Sequence, residues 1–277
     1  MRQLLNPKIA LTLITSVVLL LTSCNMKRKS SGDGPQDGAV LEKTTVEEKV
    51  REFVYPLPTA FEVTEMLNRI GAAYILTLSN PVSNVERYLT EKSKALNLGI
   101  YSADLSYASA YNQKQSVIDY MDVSKKLIDA LNIYGAISQD VIEQVEANQD
   151  NKDELVNIIT NTFYDTYEYL NQANRGSVSL LVLAGTWVEG LYIVTHITEN
   201  VYYNKEMVTI IMKQKASLDT LMELMQVAKD DPAVAETISE LLPLYNTYLA
   251  VENDAITEAQ VLFITKEIYR VRNKMVE

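Results

Sequence analysis

Two carboxylic acids stand inside stretches that are otherwise apolar. Asp104 lies in Gly99–Asn112, GIYSADLSYASAYN, and Glu189 in Val178–Asn200, VSLLVLAGTWVEGLYIVTHITEN. At about 100° per residue, Glu189 shares a helical stripe with Gly185, Tyr192 and His196, and Asp104 shares one with Tyr101, Ala108 and Tyr111. A carboxylate among phenols and an imidazole can relay a proton, hold a polar ligand, or simply satisfy itself inside a core. Burial without a partner is expensive, so Tyr101, Tyr111, Tyr192 and His196 are the expected partners. Desolvation should raise both carboxyl pKa values, and a cationic neighbour would oppose that. The plainer reading is a structural polar network that fixes helix register. The sharper one is a single pocket into which both acids and these four residues point.

No other constellation competes. There is no Gly-rich phosphate loop, no nucleophile elbow, and no His-Glu-x-x-His or Cys-x-x-Cys. One His and one Cys exclude the usual zinc and Cys–His sites. A di-iron bundle needs Glu-x-x-His on two helices, and His196-x-x-Glu199 is single and reversed. With 36 acids in the chain, a pair of carboxylates for glycoside hydrolysis has no weight as evidence. The expectation is a protein that is not an enzyme and takes neither metal nor cofactor.

The single Cys has a different chemistry. Arg2 and Lys8 precede an apolar run, Ile9–Leu21, and Leu21-Thr22-Ser23-Cys24 follows. The pattern resembles a bacterial lipoprotein signal peptide with its lipobox, which implies cleavage after residue 23 and acylation of Cys24. Asn25 differs from the Asp that favours inner-membrane retention, so the outer membrane is the expected address, with its periplasmic or surface face left open. Residues 24–44 include Lys27, Arg28, Lys29 and SSGDGPQDG and read as a flexible tether.

Removing residues 1–23 takes away Arg2 and Lys8 and leaves 23 basic against 36 acidic residues, a net charge of −13. Nucleic-acid affinity rests on phosphate neutralisation, so such a body is excluded as a nucleic-acid binder. It is also repelled by anionic lipid, so the N-terminal lipid must supply the membrane contact.

The elements that would position the acids are helices. Hydrophobic residues make up 47% of the chain, while nine Gly and seven Pro are too few for a turn-rich β protein. Val178–Asn200 is apolar on every side, as a helix buried in a core is, and Glu189 at its middle argues against a membrane span. Gly185 and Gly190, on different faces, predict close backbone approach on two sides. Thr59 is a candidate N-cap for a helix from YPLPTAFEV. Ser83 is expected to cap NVERYLTEKSKALNL, with Gly99–Asn112 as a separate buried helix. Amphipathic helices follow over QSVIDYMDVSKKLIDALNI, SQDVIEQVEAN, Asp153–Gln172 and KEMVTIIMKQKASLDTLMELMQVAK. Two more run from Pro232, with Pro243 expected to kink or divide the first, and from Thr257 to Val276. The domain is therefore all-α over residues 45–277, a bundle of roughly eight to ten helices around Val178–Asn200, with antiparallel neighbours. Gly-x-aromatic with Leu six residues after the Gly recurs at Gly99 and Gly185, and an acid follows each time, which is compatible with a diverged internal duplication.

Three stretches, YPLPTAFEVTEMLNRIGAAY, ALNLGIYSADLSYASAY and AGTWVEGLYI, resemble a family of uncharacterised all-helical lipoproteins of Gram-negative bacteria. The resemblance implies the helical fold and the envelope address and brings no catalytic residue. Two functions follow as expectations: a non-enzymatic envelope lipoprotein that presents a helical surface to a protein partner, or a module that binds a small ligand in a pocket lined by Tyr and carboxylate. Most of the 17 Tyr residues would then bridge core and solvent through their hydroxyls.

Overall fold

A computed structural model describes residues 71–133, 139–148, 151–198, 201–253 and 255–277, all within one compact unit. Cys24, the leader, the tether and the segment around Thr59 lie outside the described residues. Among the described residues there are eight α-helices and no strand. They are α1 Glu91–Ala110, α2 Lys114–Ala130, α3 Gln139–Ala147, α4 Lys152–Gln172, α5 Gly176–His196, α6 Lys205–Val227, α7 Pro232–Leu249 and α8 Glu258–Val276. The protein is all-α, as its periodicity requires.

Local chemistry sets the helix ends. Thr90 caps α1 and exchanges hydrogen bonds with Ser93, and Thr257 does the same with Gln260 for α8. Asn204 caps α6, and Asp231 caps α7 ahead of Pro232. Asn112, Asn132 and Asn174 take left-handed conformations just past α1, α2 and α4. Asn thus fills the role that Gly usually plays at helix ends.

Two expectations about helix bounds are corrected. Ser83 lies inside a 3-10 turn, Val82–Arg87, and α1 is one helix that runs straight through Gly99. Pro243 does not divide α7. An internal Pro removes one backbone hydrogen bond, and the packing of Val234, Thr237, Leu241, Leu244 and Tyr248 holds the helix on both sides of it.

The core sits around α5, whose residues from Val178 to Thr195 are buried except for Thr186 and Gly190. This helix is long and apolar enough to cross a membrane, but 89% of its most apolar window is buried inside the protein. Helix α1 packs on it most extensively, with α4, α6, α7 and α8 around the rest.

Helices α1 and α5 run in the same direction. Glu91 pairs with Arg175 at 2.6 Å at their N-termini, Gly99 meets Gly185 in the middle, and Asp104 faces Glu189 beyond. Antiparallel packing was expected for helices joined by short loops; α1 and α5 are separated by three helices, so no loop constrains their sense. At the crossing a Cβ on Gly99 would collide with the carbonyl oxygen of Val182, and one on Gly185 with that of Leu96. The Thr186 hydroxyl donates across the same gap to the Gly99 carbonyl at 3.1 Å. Gly190 is different: a Cβ there would meet nothing within 4 Å. The close approach is therefore on one side of α5, not two.

Candidate functional site

The crossing brings Asp104 and Glu189 together. One lies five residues past Gly99 and the other four past Gly185, so two parallel helices carry both to the same level. Each is wholly buried. Their cation is Arg272 of α8, 7% exposed, whose Nε donates to Glu189 Oε2 at 3.0 Å and whose Nη2 donates to Oε1 at 3.1 Å. This fork-on-fork arrangement is the strongest geometry such a pair adopts. Nη2 also donates to the Leu78 carbonyl at 3.2 Å, and the guanidinium lies 4.7 Å from the centre of the Tyr192 ring.

The segment Leu78–Pro81 plugs the same region with its backbone. Asn80 N–H donates to Asp104 Oδ2 at 3.0 Å, and the Pro81 carbonyl accepts from Tyr101 Oη at 2.9 Å. The Asn80 amide donates to Tyr88 Oη at 2.9 Å and to Asn97 Oδ1 at 3.3 Å. Asn97 in turn donates to the Met275 carbonyl at 2.7 Å. One polar network thus ties the segment Leu78–Pro81, α1, α5 and the end of α8.

Electrostatics follow burial. Desolvation holds the Asp104 carboxyl well above the usual carboxylate range, and the neighbouring Glu189 pushes it further, against Asn80 N–H and Arg272. Glu189 is also raised by burial, with Arg272 opposing. Burial works against the charge of Arg272, but Glu189 outweighs it and keeps the guanidinium ionised. Desolvation pushes the Tyr107 phenol up to about 12 and lowers the His196 imidazole below its ordinary value.

Of the expected partners, two lie near the cluster and two point elsewhere. Tyr192 sits under Arg272, and His196 stacks on Tyr192 with ring centres 4.3 Å apart. His196 Nδ1 lies 2.9 Å from the Tyr192 carbonyl and 3.0 Å from Thr195 Oγ1, so it contacts no acid there. Tyr101 serves Pro81, and Tyr111 donates to the Ala72 carbonyl at 3.4 Å within a ring cluster of Tyr74 and Tyr107. The groups that do meet the acids, Arg272 and the backbone of Asn80, were not anticipated. Arg272 carried a usable signal, because it continues the inward stripe of Val261, Ile264 and Ile268. Nothing in the local sequence marks a backbone N–H.

A separate cleft of about 440 Å³ opens at the N-terminal end of α5, lined among others by Glu91, Tyr167, Asn171, Arg175, Leu224 and Asp231. It lies roughly 20 Å from Glu189 at 1.5 Å per helical residue, and neither Asp104 nor Glu189 lines it. Among the described residues no group of three or more His, Cys, Asp or Glu could hold a metal ion.

No family model, no curated protein and no solved structure matches the chain.

Proposed function

We propose that this chain is a lipoprotein of the bacterial cell envelope, anchored through Cys24 to the outer membrane, whose helical body engages a protein partner and catalyses no reaction. The observation that carries the reading is where the reactive side chains are. Asp104, Glu189 and Arg272 face one another inside the core, where no substrate reaches them, and they join helices instead. The surface also carries exposed apolar side chains. Tyr203 hydrogen-bonds Glu258 at 3.2 Å, and Leu262 and Tyr269 continue along α8 from there, 72%, 61% and 50% exposed respectively for Tyr203, Leu262 and Tyr269. Large exposed apolar side chains are enriched at partner-binding faces.

The experiment has two arms. Cys24→Ser should release the protein from the membrane fraction or leave an unprocessed precursor by mass; unchanged partitioning and mass would remove the anchor. A photo-crosslinking residue at position 262, in living cells, should give one discrete protein adduct that Tyr269→Ala weakens. Absence of any adduct there would remove the partner face.

The second reading, a small-ligand module, is favoured by the cleft beside α5, whose volume lies in the range of ligand sites. Its Tyr and carboxylate would be Tyr167 and Glu91. Ligand-dependent thermal stabilisation that Arg175→Ala abolishes would support it over the first.

A further inference from the structure

The buried cluster contains two carboxyls and one guanidinium. Arg272 commits Nε and Nη2 to Glu189 and shares Nη2 with the Leu78 carbonyl. Among the described residues Asp104 has no cation of its own. Its Oδ2 accepts from Asn80 N–H at 3.0 Å, and its Oδ1 makes no hydrogen bond within 3.5 Å. The buried Ser79 hydroxyl lies beside this carboxyl and opposes the rise in its pKa, but it too makes no hydrogen bond within 3.5 Å. The Asp104 carboxyl lies within hydrogen-bonding reach of the Glu189 carboxyl. Two carboxylates at such range, away from water, do not both ionise. Glu189 has the guanidinium, so the proton belongs on Asp104.

We propose that the folded protein binds one proton at this dyad, carried by Asp104 and donated in a hydrogen bond to Glu189, so that Asp104, Glu189 and Arg272 together are electrically neutral. A carboxylic acid supplies the donor that a carboxylate there lacks, and it leaves one negative charge for one positive charge. Among the described residues the surroundings add no other charge. Tyr101 and Tyr107 on α1, Tyr74 and Tyr88 ahead of it, Tyr120 on α2 and Tyr192 on α5 are all held above the ordinary phenol value by burial and stay neutral. A metal ion would neutralise the same charge but wants several oxygen ligands, and no cluster of three or more acids, His or Cys surrounds one point among the described residues. The proposal is independent of what the outer faces of the helices bind.

The linkage has a definite sign. A carboxyl raised on folding retains a proton that the unfolded chain gives up above about pH 3.9. Its contribution to stability is greatest below that value and falls as pH rises toward the folded-state pKa, which lies well above it.

The test unfolds the full-length chain in weak buffer with a pH indicator at about pH 8, roughly four units above an ordinary aspartate. The parent chain should release one proton per molecule, and Asp104→Asn should not. The amide of that variant can accept from Asn80 and donate to Glu189 as the acid does. Its denaturation midpoint at this pH should equal or exceed the parent's, with the gap widening as pH rises. Glu189→Gln should lower the midpoint. A parent chain that releases no proton overturns the proposal whatever the variants do. So does an Asp104→Asn variant that is unfolded or as destabilised as Glu189→Gln, because that result requires an ionised Asp104. A midpoint that depends on sodium or potassium specifically, in place of pH, assigns the neutralising charge to a metal ion and overturns it too.

Discussion

Gly99 and Gly185 face each other across the α1–α5 crossing, each beneath the carbonyl of the residue three positions before the other, Val182 in one case and Leu96 in the other. The reciprocity means that both sites are closed to a methyl group by backbone, which cannot rotate away. Gly99→Ala and Gly185→Ala should each destabilise the fold by at least the 1–3 kcal/mol typical of overpacking. Gly190→Ala, on the same helix with open space around it, should stabilise by up to about 1 kcal/mol. Urea unfolding of the three variants checks the contrast, and equal effects at Gly185 and Gly190 would refute it.

The Glu189–Arg272 pair should behave as a unit. Arg272→Met leaves Glu189 buried without its cation, and Glu189→Gln leaves the guanidinium buried without its anion. Each should cost about 3–5 kcal/mol. The double variant should cost clearly less than the sum of the two, because the second change removes a charge already stranded by the first. Additive losses in urea denaturation would show that the contact contributes nothing beyond each side chain's own packing.

His196 gives the stability curve a slope opposite to that of Asp104. Burial lowers its pKa, so the unfolded chain binds a proton that the folded one refuses. Stability from this group is complete above the ordinary value of about 6.5 and is lost as pH falls through it toward the folded-state value. His196→Phe keeps a ring on Tyr192 and should flatten that acid-side loss. Because His196 is the only His in the chain, its imidazole proton resonance needs no assignment. A folded-state titration midpoint at or above 6.5 would contradict the expectation.

Most of the fold could be read from periodicity because the amphipathic helices each bury one face. Val178–Asn200 stood out because every face is apolar, and burial on every side is what places α5 at the centre. Asp104 and Glu189 were conspicuous for the same reason: a charge in an apolar helix has to be answered. What answers it was not legible. Arg272 comes from a helix 83 residues away from Glu189, and only tertiary packing brings them together. Asn80 contributes a backbone group, which every residue but Pro has. Tyr101 and Tyr111 donate to the Pro81 and Ala72 carbonyls, since a long phenol can reach past its own helix to a neighbouring carbonyl. The parallel sense of α1 and α5 was equally hidden, because nothing in either sequence states the direction of a partner three helices away.

The polar network has a consequence for the order in which the chain can mature. Asn97 of α1 waits for the carbonyl of Met275, 178 residues later, and Leu78 waits for Arg272, 194 residues later. Contacts this distant in sequence slow a helical protein's folding, because long loops must close before anything is gained. Helix α8 supplies both the guanidinium that Glu189 faces and the carbonyl that Asn97 needs, so a chain with α8 undocked would leave the buried Glu189 without its cation. The core is complete only with α8 in place, and that helix serves as the clasp of the fold.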